Sequence, residues 1–98
     1  MGQPAARAGD LTSHGSPLGP SGGSTNVFIG GKPAWRVGVD MHNCPISPSP
    51  THIGGFVVSG SSSVFINNAQ AVRMNDKVME SGGGLNSITS GEMSVQIG

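Results

Sequence analysis

The sequence predicts a small all-β domain of short strands with a pseudo-threefold internal repeat. Composition is the first reason: the 98 residues include 17 glycines and 7 prolines, and only 10% are charged. Glycine and proline are unfavourable inside helices, and no segment has the apolar spacing of an amphipathic helix. Apolar residues fall instead in short alternating runs, a pattern typical of strands and not of a disordered chain.

An internal repeat is the second reason. Residues 24–40 read STNVFIGGKPAWRVGVD, and residues 61–76 read SSSVFINNAQAVRMND. Each unit contains a strand, a turn of two glycines or two asparagines, a second strand ending at an arginine, and then an aspartate. Glycine and asparagine tolerate the positive φ angles of a tight hairpin turn. Both units are therefore predicted to be hairpins.

A third unit is divided between the two ends of the chain. Residues 94–98 read SVQIG and match the first strand, while residues 2–10 read GQPAARAGD and match the second half. Two copies alone can arise by chance in a glycine-rich β protein, but a third copy completed by the joined ends argues against chance. Halves that complete each other imply hairpins closed around an axis, which hides unpaired strand edges.

Alternation in the first strand of each unit predicts which side chains are buried. One face of these strands is predicted to supply a narrow axial core. Its members are Val27, Ile29, Val64, Ile66, Val95 and Ile97, alternating with Phe28, Phe65 and Gln96. Loops rich in serine, glycine and proline are predicted at residues 15–25, 45–51 and 81–92.

A chain of this size buries a thin core, and small domains often add a disulfide, a metal or a partner. An intrachain disulfide is excluded because Cys44 is the only cysteine. A metal is the expected supplement. The predicted ligands are every histidine and the one cysteine: His14, His42, Cys44 and His52.

The repeat gives two of these ligands, His14 and Cys44, equivalent positions; His42 lies two residues before Cys44, and His52 follows the proline-rich loop. His14 follows Asp10 by four residues and Cys44 follows Asp40 by four, while the third such position holds Glu80. Loops at equivalent places in a closed repeat meet near the axis. Three imidazoles and one thiolate suit tetrahedral Zn²⁺, and iron is the alternative that the ligand types leave open.

Four protein ligands leave no position for a substrate water, so the predicted zinc site is structural. Three other interpretations stay open on the residues alone. The histidines could be exposed and the thiol buried without a metal. A hydrolytic site would require Glu80 at the ion or one histidine away from it, and a Cys–His nucleophile pair would use Cys44.

Charge and hydropathy exclude several classes of function. Net charge is zero, and the sequence has no basic stripe that would bind nucleic acid. Three phenylalanines and one tryptophan are too few to form an aromatic platform for stacking bases. The amino terminus lacks the apolar segment of a signal peptide, and no stretch reaches the length of a membrane span. We expect synthesis in the cytoplasm and export only through a dedicated machine.

Residues 4–7 read PAAR, residues 33–36 read PAWR, and residues 70–73 read QAVR. These segments resemble the signature of the PAAR-repeat family, and the resemblance covers essentially the whole chain, including the four predicted ligands. It implies a pointed cone of short strands with a metal, usually zinc, bound by three histidines and one cysteine near the vertex. Gln70 and Val72 depart from the signature, which puts exact docking symmetry in doubt.

The resemblance also implies a function. The base of such a cone sits on the blunt end of a trimeric VgrG-type spike, one tip per trimer, in a type VI secretion system. Contraction drives the spike through a target membrane, which the tip contacts transiently, and the tip leaves the cell through this machine. We therefore expect residues 1–98 to be a single structural domain without enzymatic activity and without a toxin extension.

Two alternatives to this function remain. The chain could be an adaptor that recruits a separate effector protein to the spike. An exposed apolar patch away from the base would mark this role, with Trp35, Phe56 or Met41 as candidate members. The other alternative is a small zinc hydrolase.

Overall fold

Short strands make up the regular structure in the computed structural model, which describes residues 2–13, 17–19, 22–42, 55–80 and 85–98. These residues contain no helix, and hence none with the length and hydropathy of a transmembrane segment. The all-β prediction is confirmed. The strands are β1 Gln3–Ala5, β2 Phe28–Ile29, β3 Lys32–Pro33, β4 Met41–His42, β5 Gly55–Val57, β6 Phe65–Ile66, β7 Ala69–Gln70, β8 Lys77–Glu80, β9 Leu85–Ser87 and β10 Glu92–Ile97.

The three predicted hairpins are present with the same register. β2 pairs with β3, β6 pairs with β7, and the carboxyl-terminal β10 pairs with the amino-terminal β1. The equivalent pairs are Ile29 with Lys32, Ile66 with Ala69, and Ile97 with Gln3. The two-residue turns have positive φ at both positions, as the glycine and asparagine pairs predict. The third unit is therefore divided between the ends of the chain, as the repeat predicts.

Backbone hydrogen bonds join the three units into a closed ring. Trp35 N donates to Ala6 O at 3.1 Å, Val72 N donates to Trp35 O at 3.1 Å, and Ala6 N donates to Val72 O at 3.0 Å. These residues hold the same position in the three units. Because each unit bonds to the next and the third returns to the first, the ring has pseudo-threefold symmetry.

Two apolar clusters follow the symmetry of the ring. The first combines Ala5, Ala34 and Ala71 with the isoleucines of the three hairpins, and Val27 and Val95 pack against it. The predicted axial core is thus confirmed except at Val64, which is 36% exposed. The second cluster consists of Ala6, Leu18, Trp35, Val57, Val72, Val78 and Ile88.

Trp35 is fully buried in the second cluster, so its candidate place in an exposed patch is wrong. It occupies the ring position that the smaller residues Ala6 and Val72 hold in the other two units, and its side chain is directed into the core. Gly22 leaves space for it, because a Cβ atom there would lie 2.9 Å from the indole ring. The large side chain of one unit therefore fills space left by small residues elsewhere.

A four-stranded antiparallel sheet in the order β4-β5-β8-β9 lies outside the three hairpins. Strand β9 falls within residues 81–92, which were predicted to be a loop, so that prediction is wrong in part. Its sequence, LNS, has no strand pattern, and pairing with β8 supplies its structure. The predicted loop at residues 45–51 lies outside the described residues.

Three equivalent ion pairs fix the bend after each ring position. In each unit the arginine backbone N and Nε donate to one aspartate oxygen, and Nη2 donates to the other. The Nη2–Oδ1 distances are 3.0 Å for Arg7–Asp10, 2.6 Å for Arg36–Asp40 and 2.9 Å for Arg73–Asp76. The aspartates are buried, and hydrogen bonding to them raises the pKa of each arginine above its ordinary value.

Replacing Asp40 with asparagine should lower the free energy of unfolding by about 2–3 kcal/mol, because Arg36 would keep its charge without a buried counter-ion. Urea unfolding followed by the fluorescence of the buried Trp35 measures this loss. Glu92→Gln is the control, since that carboxylate is more exposed and should matter less. Equal losses in the two variants would contradict a structural role for the buried pairs.

A circular permutant should fold like the parent chain. Gly98 follows Ile97 of β10, Gly2 precedes Gln3 of β1, and Ile97 pairs with Gln3. Direct fusion of Gly98 to Gly2 therefore recreates the two-residue turn that Gly30 and Gly31 form in the equivalent hairpin. The chain is then opened between Asn67 and Asn68. We expect a melting temperature close to that of the parent, measured by circular dichroism. Opening between Ala34 and Trp35 is the control and should abolish folding, because it interrupts the ring.

Candidate metal centre and threefold face

The turns of the three hairpins are held together at one end of the ring. Ser24 Oγ donates to Asn67 Oδ1 at 2.7 Å, which links the unit of residues 24–40 to the turn of the unit of residues 61–76. Ser61 Oγ donates to Gly98 O, which links the unit of residues 61–76 to the end of β10 in the divided unit. The two serines also accept hydrogen bonds from their own strands, so each fixes its hairpin and its neighbour.

Glu92 takes the place of these serines in the unit divided between the chain ends, three residues before Val95. Its Oε1 accepts a hydrogen bond from Arg7 Nη1 at 3.0 Å. Hydrogen bonds from Ser94, with a smaller contribution from the Arg7 charge, lower the pKa of Glu92. Both side chains lie against the turn of the unit of residues 24–40, because a Cβ atom at Gly30 would meet Glu92 and Arg7. The ion pair itself joins two residues of the divided unit, and its position beside Gly30 brings that unit next to the turn of residues 24–40.

Large aromatic side chains are exposed on the first strands of two hairpins. Phe28 and Phe65 are each 57% exposed at equivalent positions, and Gln96 holds the third position and is also exposed. These three residues are called the hairpin face below. Their outward orientation was predicted from the alternation with buried isoleucines. An exposed pair of phenylalanines around a pseudo-threefold axis indicates a surface for a partner.

The structure describes one of the four predicted metal ligands. His42 ends strand β4 and is fully buried, and it pairs in register with Gly55 of β5. His14, Cys44 and His52 lie outside the described residues, so the convergence of the four ligands stays a prediction. Within the described part of the chain, no group of three histidine, cysteine, aspartate or glutamate side chains could hold a metal.

The chemistry of the donors nevertheless fits a structural metal. The buried imidazole of His42, at the end of a strand, is a suitable ligand for Zn²⁺. Two further imidazoles and one thiolate would complete a tetrahedral set of four. Glu80, the residue at the third equivalent position, ends β8 and pairs through its backbone with Gly55. His42, Gly55 and Glu80 therefore occupy one row of the four-stranded sheet.

The other two candidates for an exposed apolar patch behave differently from Trp35. Met41 and Phe56 are exposed, and they are cross-strand neighbours on β4 and β5. The three arginine–aspartate pairs and the contacts of Ser24, Ser61 and Glu92 were not predicted. The repeat contains a signal for the pairs, because arginine and aspartate recur in all three units, and a weaker signal for the serine contacts, because serine recurs in two.

Comparison with protein families gives one match. The model of the PAAR motif matches residues 21–82 and 49–98, two overlapping stretches that together cover most of the chain. None of the curated proteins compared with this chain matches it. Proteins with this motif are structural components associated with the VgrG spike of type VI secretion systems. The chain therefore belongs to the PAAR motif family and is a type VI spike-associated protein.

Proposed function

We propose that the chain is the structural tip of a VgrG-type trimeric spike and that it has no enzymatic activity. The closed ring of Ala6, Trp35 and Val72 is the observation that supports this role. A trimer ends in a surface with threefold symmetry, and one chain can make equivalent contacts with all three subunits there only if it repeats its own surface three times. A tip made in the cytoplasm would then leave the cell on the spike.

The hairpin face is the surface that we assign to the spike. Phe28 and Phe65 would each contact one spike subunit, and aromatic side chains are frequent anchors at the centres of protein interfaces. Gln96 would meet the third subunit with an amide. The tip would therefore match the trimer in backbone symmetry while making one different side-chain contact.

The four predicted ligands, His14, His42, Cys44 and His52, are proposed to bind one structural Zn²⁺. The ion would connect loops that cannot contribute enough apolar surface to hold themselves, which is a common use of metals in small domains. The burial of His42 and the donor types support this assignment. Iron is the alternative metal, and a site with four protein ligands does not support the hydrolase alternative.

Replacing Cys44 or His52 with alanine should release the metal and lower the free energy of unfolding by roughly several kcal/mol, because metal binding energy contributes to folding. Elemental analysis gives the metal and its stoichiometry, and thermal unfolding gives the loss. Ser47→Ala, in the same segment, is the control and should retain the metal. Equal melting with and without a strong chelator would contradict the site.

Binding to a VgrG-type trimer should have a stoichiometry of one tip to three spike chains. Multi-angle light scattering of the purified complex measures it. Phe28→Ser and Phe65→Ser should each weaken binding about tenfold, since each removes an exposed apolar anchor. Phe56→Ser changes an aromatic residue outside the hairpin face and should leave the affinity unchanged. A complex of three tips with three spike chains would refute coaxial docking.

A further inference from the structure

We propose that the outer face of the four-stranded sheet is a docking surface for an amphipathic helix of a second protein, and that this helix carries a carboxylate beside its apolar stripe. The surface, called the sheet face below, consists of Met41, Phe56, Val58, Lys77, Met79 and Leu85. It is formed by other strands than the hairpin face. The inference goes beyond the proposed function and does not depend on it.

The register of the strands places four large apolar residues in one row. Met41 pairs with Phe56, Phe56 pairs with Met79, and Met79 pairs with Leu85. Their exposed fractions are 45%, 41%, 47% and 53% in the order Met41, Phe56, Met79 and Leu85. Cross-strand neighbours lie about 5 Å apart, so the row is continuous over roughly 14 Å.

These side chains are not required by the core beneath them. The alternate residues, His42, Val57, Val78 and Asn86, are buried and form the inner face of the same sheet. An antiparallel sheet with one face in water normally has polar residues on that face. Four aligned apolar residues there, with Val58 beside them, indicate a surface that a partner covers.

The dimensions of the row favour a helix. A helix advances about 5.4 Å per turn, so a row of roughly 14 Å accommodates two to three turns. Over that length an amphipathic helix presents apolar residues at positions i, i+3 or i+4, and i+7. Two of the four residues in the row are methionines, whose flexible side chains adapt to helical surfaces. The sheet face thus matches one apolar stripe of a helix in length and chemistry.

The positive charge of Lys77 indicates which polar group lies beside the apolar stripe of the partner helix. Lys77 is exposed next to the row, and its Nζ donates to Ser87 Oγ at 2.7 Å. It forms no ion pair with the carboxylates of the described residues. A partner with an aspartate or glutamate beside its stripe would place a carboxylate opposite this ammonium group.

The same charge argues against two other occupants. A second copy of the chain, packed through the same face, would bring apolar residues and another Lys77 but no carboxylate from the sheet face. A membrane surface would attract the protein weakly, because the net charge is zero and Lys77 is the one cation of this face. A separate protein helix is therefore the occupant that the surface fits.

The experiment uses the full chain and labelled synthetic helices of about 18 residues. The probe has leucines along one stripe with glutamates beside them. One control peptide has the same residues in shuffled order, and another has lysines in place of the glutamates. Fluorescence anisotropy measures binding to the wild-type chain and to Phe56→Ser, Met79→Ser, Lys77→Glu and, as a matched control, Phe65→Ser on the hairpin face.

The glutamate helix should bind saturably, and Phe56→Ser and Met79→Ser should each weaken it about tenfold while Phe65→Ser does not. Lys77→Glu should shift preference several-fold toward the lysine helix. These variants change exposed side chains, so their melting temperatures should stay near that of the wild type. Failure of the same protein to bind a spike trimer would leave these results unaffected.

Several outcomes would overturn the proposal. These are no saturable binding of the glutamate helix, equal binding of the shuffled helix, or unchanged affinity in Phe56→Ser and Met79→Ser. Light scattering that shows self-association abolished by Phe56→Ser would assign the face to a second copy. Binding to vesicles of phosphatidylcholine and phosphatidylglycerol, abolished by the same variant, would assign it to a membrane.

Discussion

The backbone hydrogen bonds that join Ala6, Trp35 and Val72 are the constraint from which the rest of the fold follows. The units satisfy backbone groups on one another at this ring, so the described residues leave few free edges although most of their strands are only two or three residues long. The aspartates then fix the bend that leaves the ring, and the serines and Glu92 fix the hairpin turns. Both sets repeat because the ring repeats.

The repeat made much of this predictable. A two-residue turn fixes the register of a hairpin, so the match of residues 94–98 and 2–10 to the other units was enough to pair β10 with β1. The same alternation identified Phe28, Phe65 and Gln96 as outward residues. The predicted ligands rest on residue type and position, and three of them, His14, Cys44 and His52, lie outside the described part of the chain.

Features that depend on contacts outside the segment itself were not predictable. Residues 85–87 are a strand because β8 offers them a partner, and nothing within Leu-Asn-Ser announces it. Trp35 is buried because Ala6, far along the chain, is small and Gly22 leaves room for the indole. The row of exposed residues on the four-stranded sheet likewise exists only after pairing has brought Met41, Phe56 and Met79 together.

The division of one hairpin between the chain ends also has a consequence for biosynthesis. Strand β1 leaves the ribosome early but finds its partner only when β10 emerges, because residues Glu92–Ile97 are made last among the elements described. Until then the nascent polypeptide can form the two complete hairpins, while β1 has no partner strand. Contacts between such remote segments form slowly. Closure of the ring therefore waits for the last of the strands described.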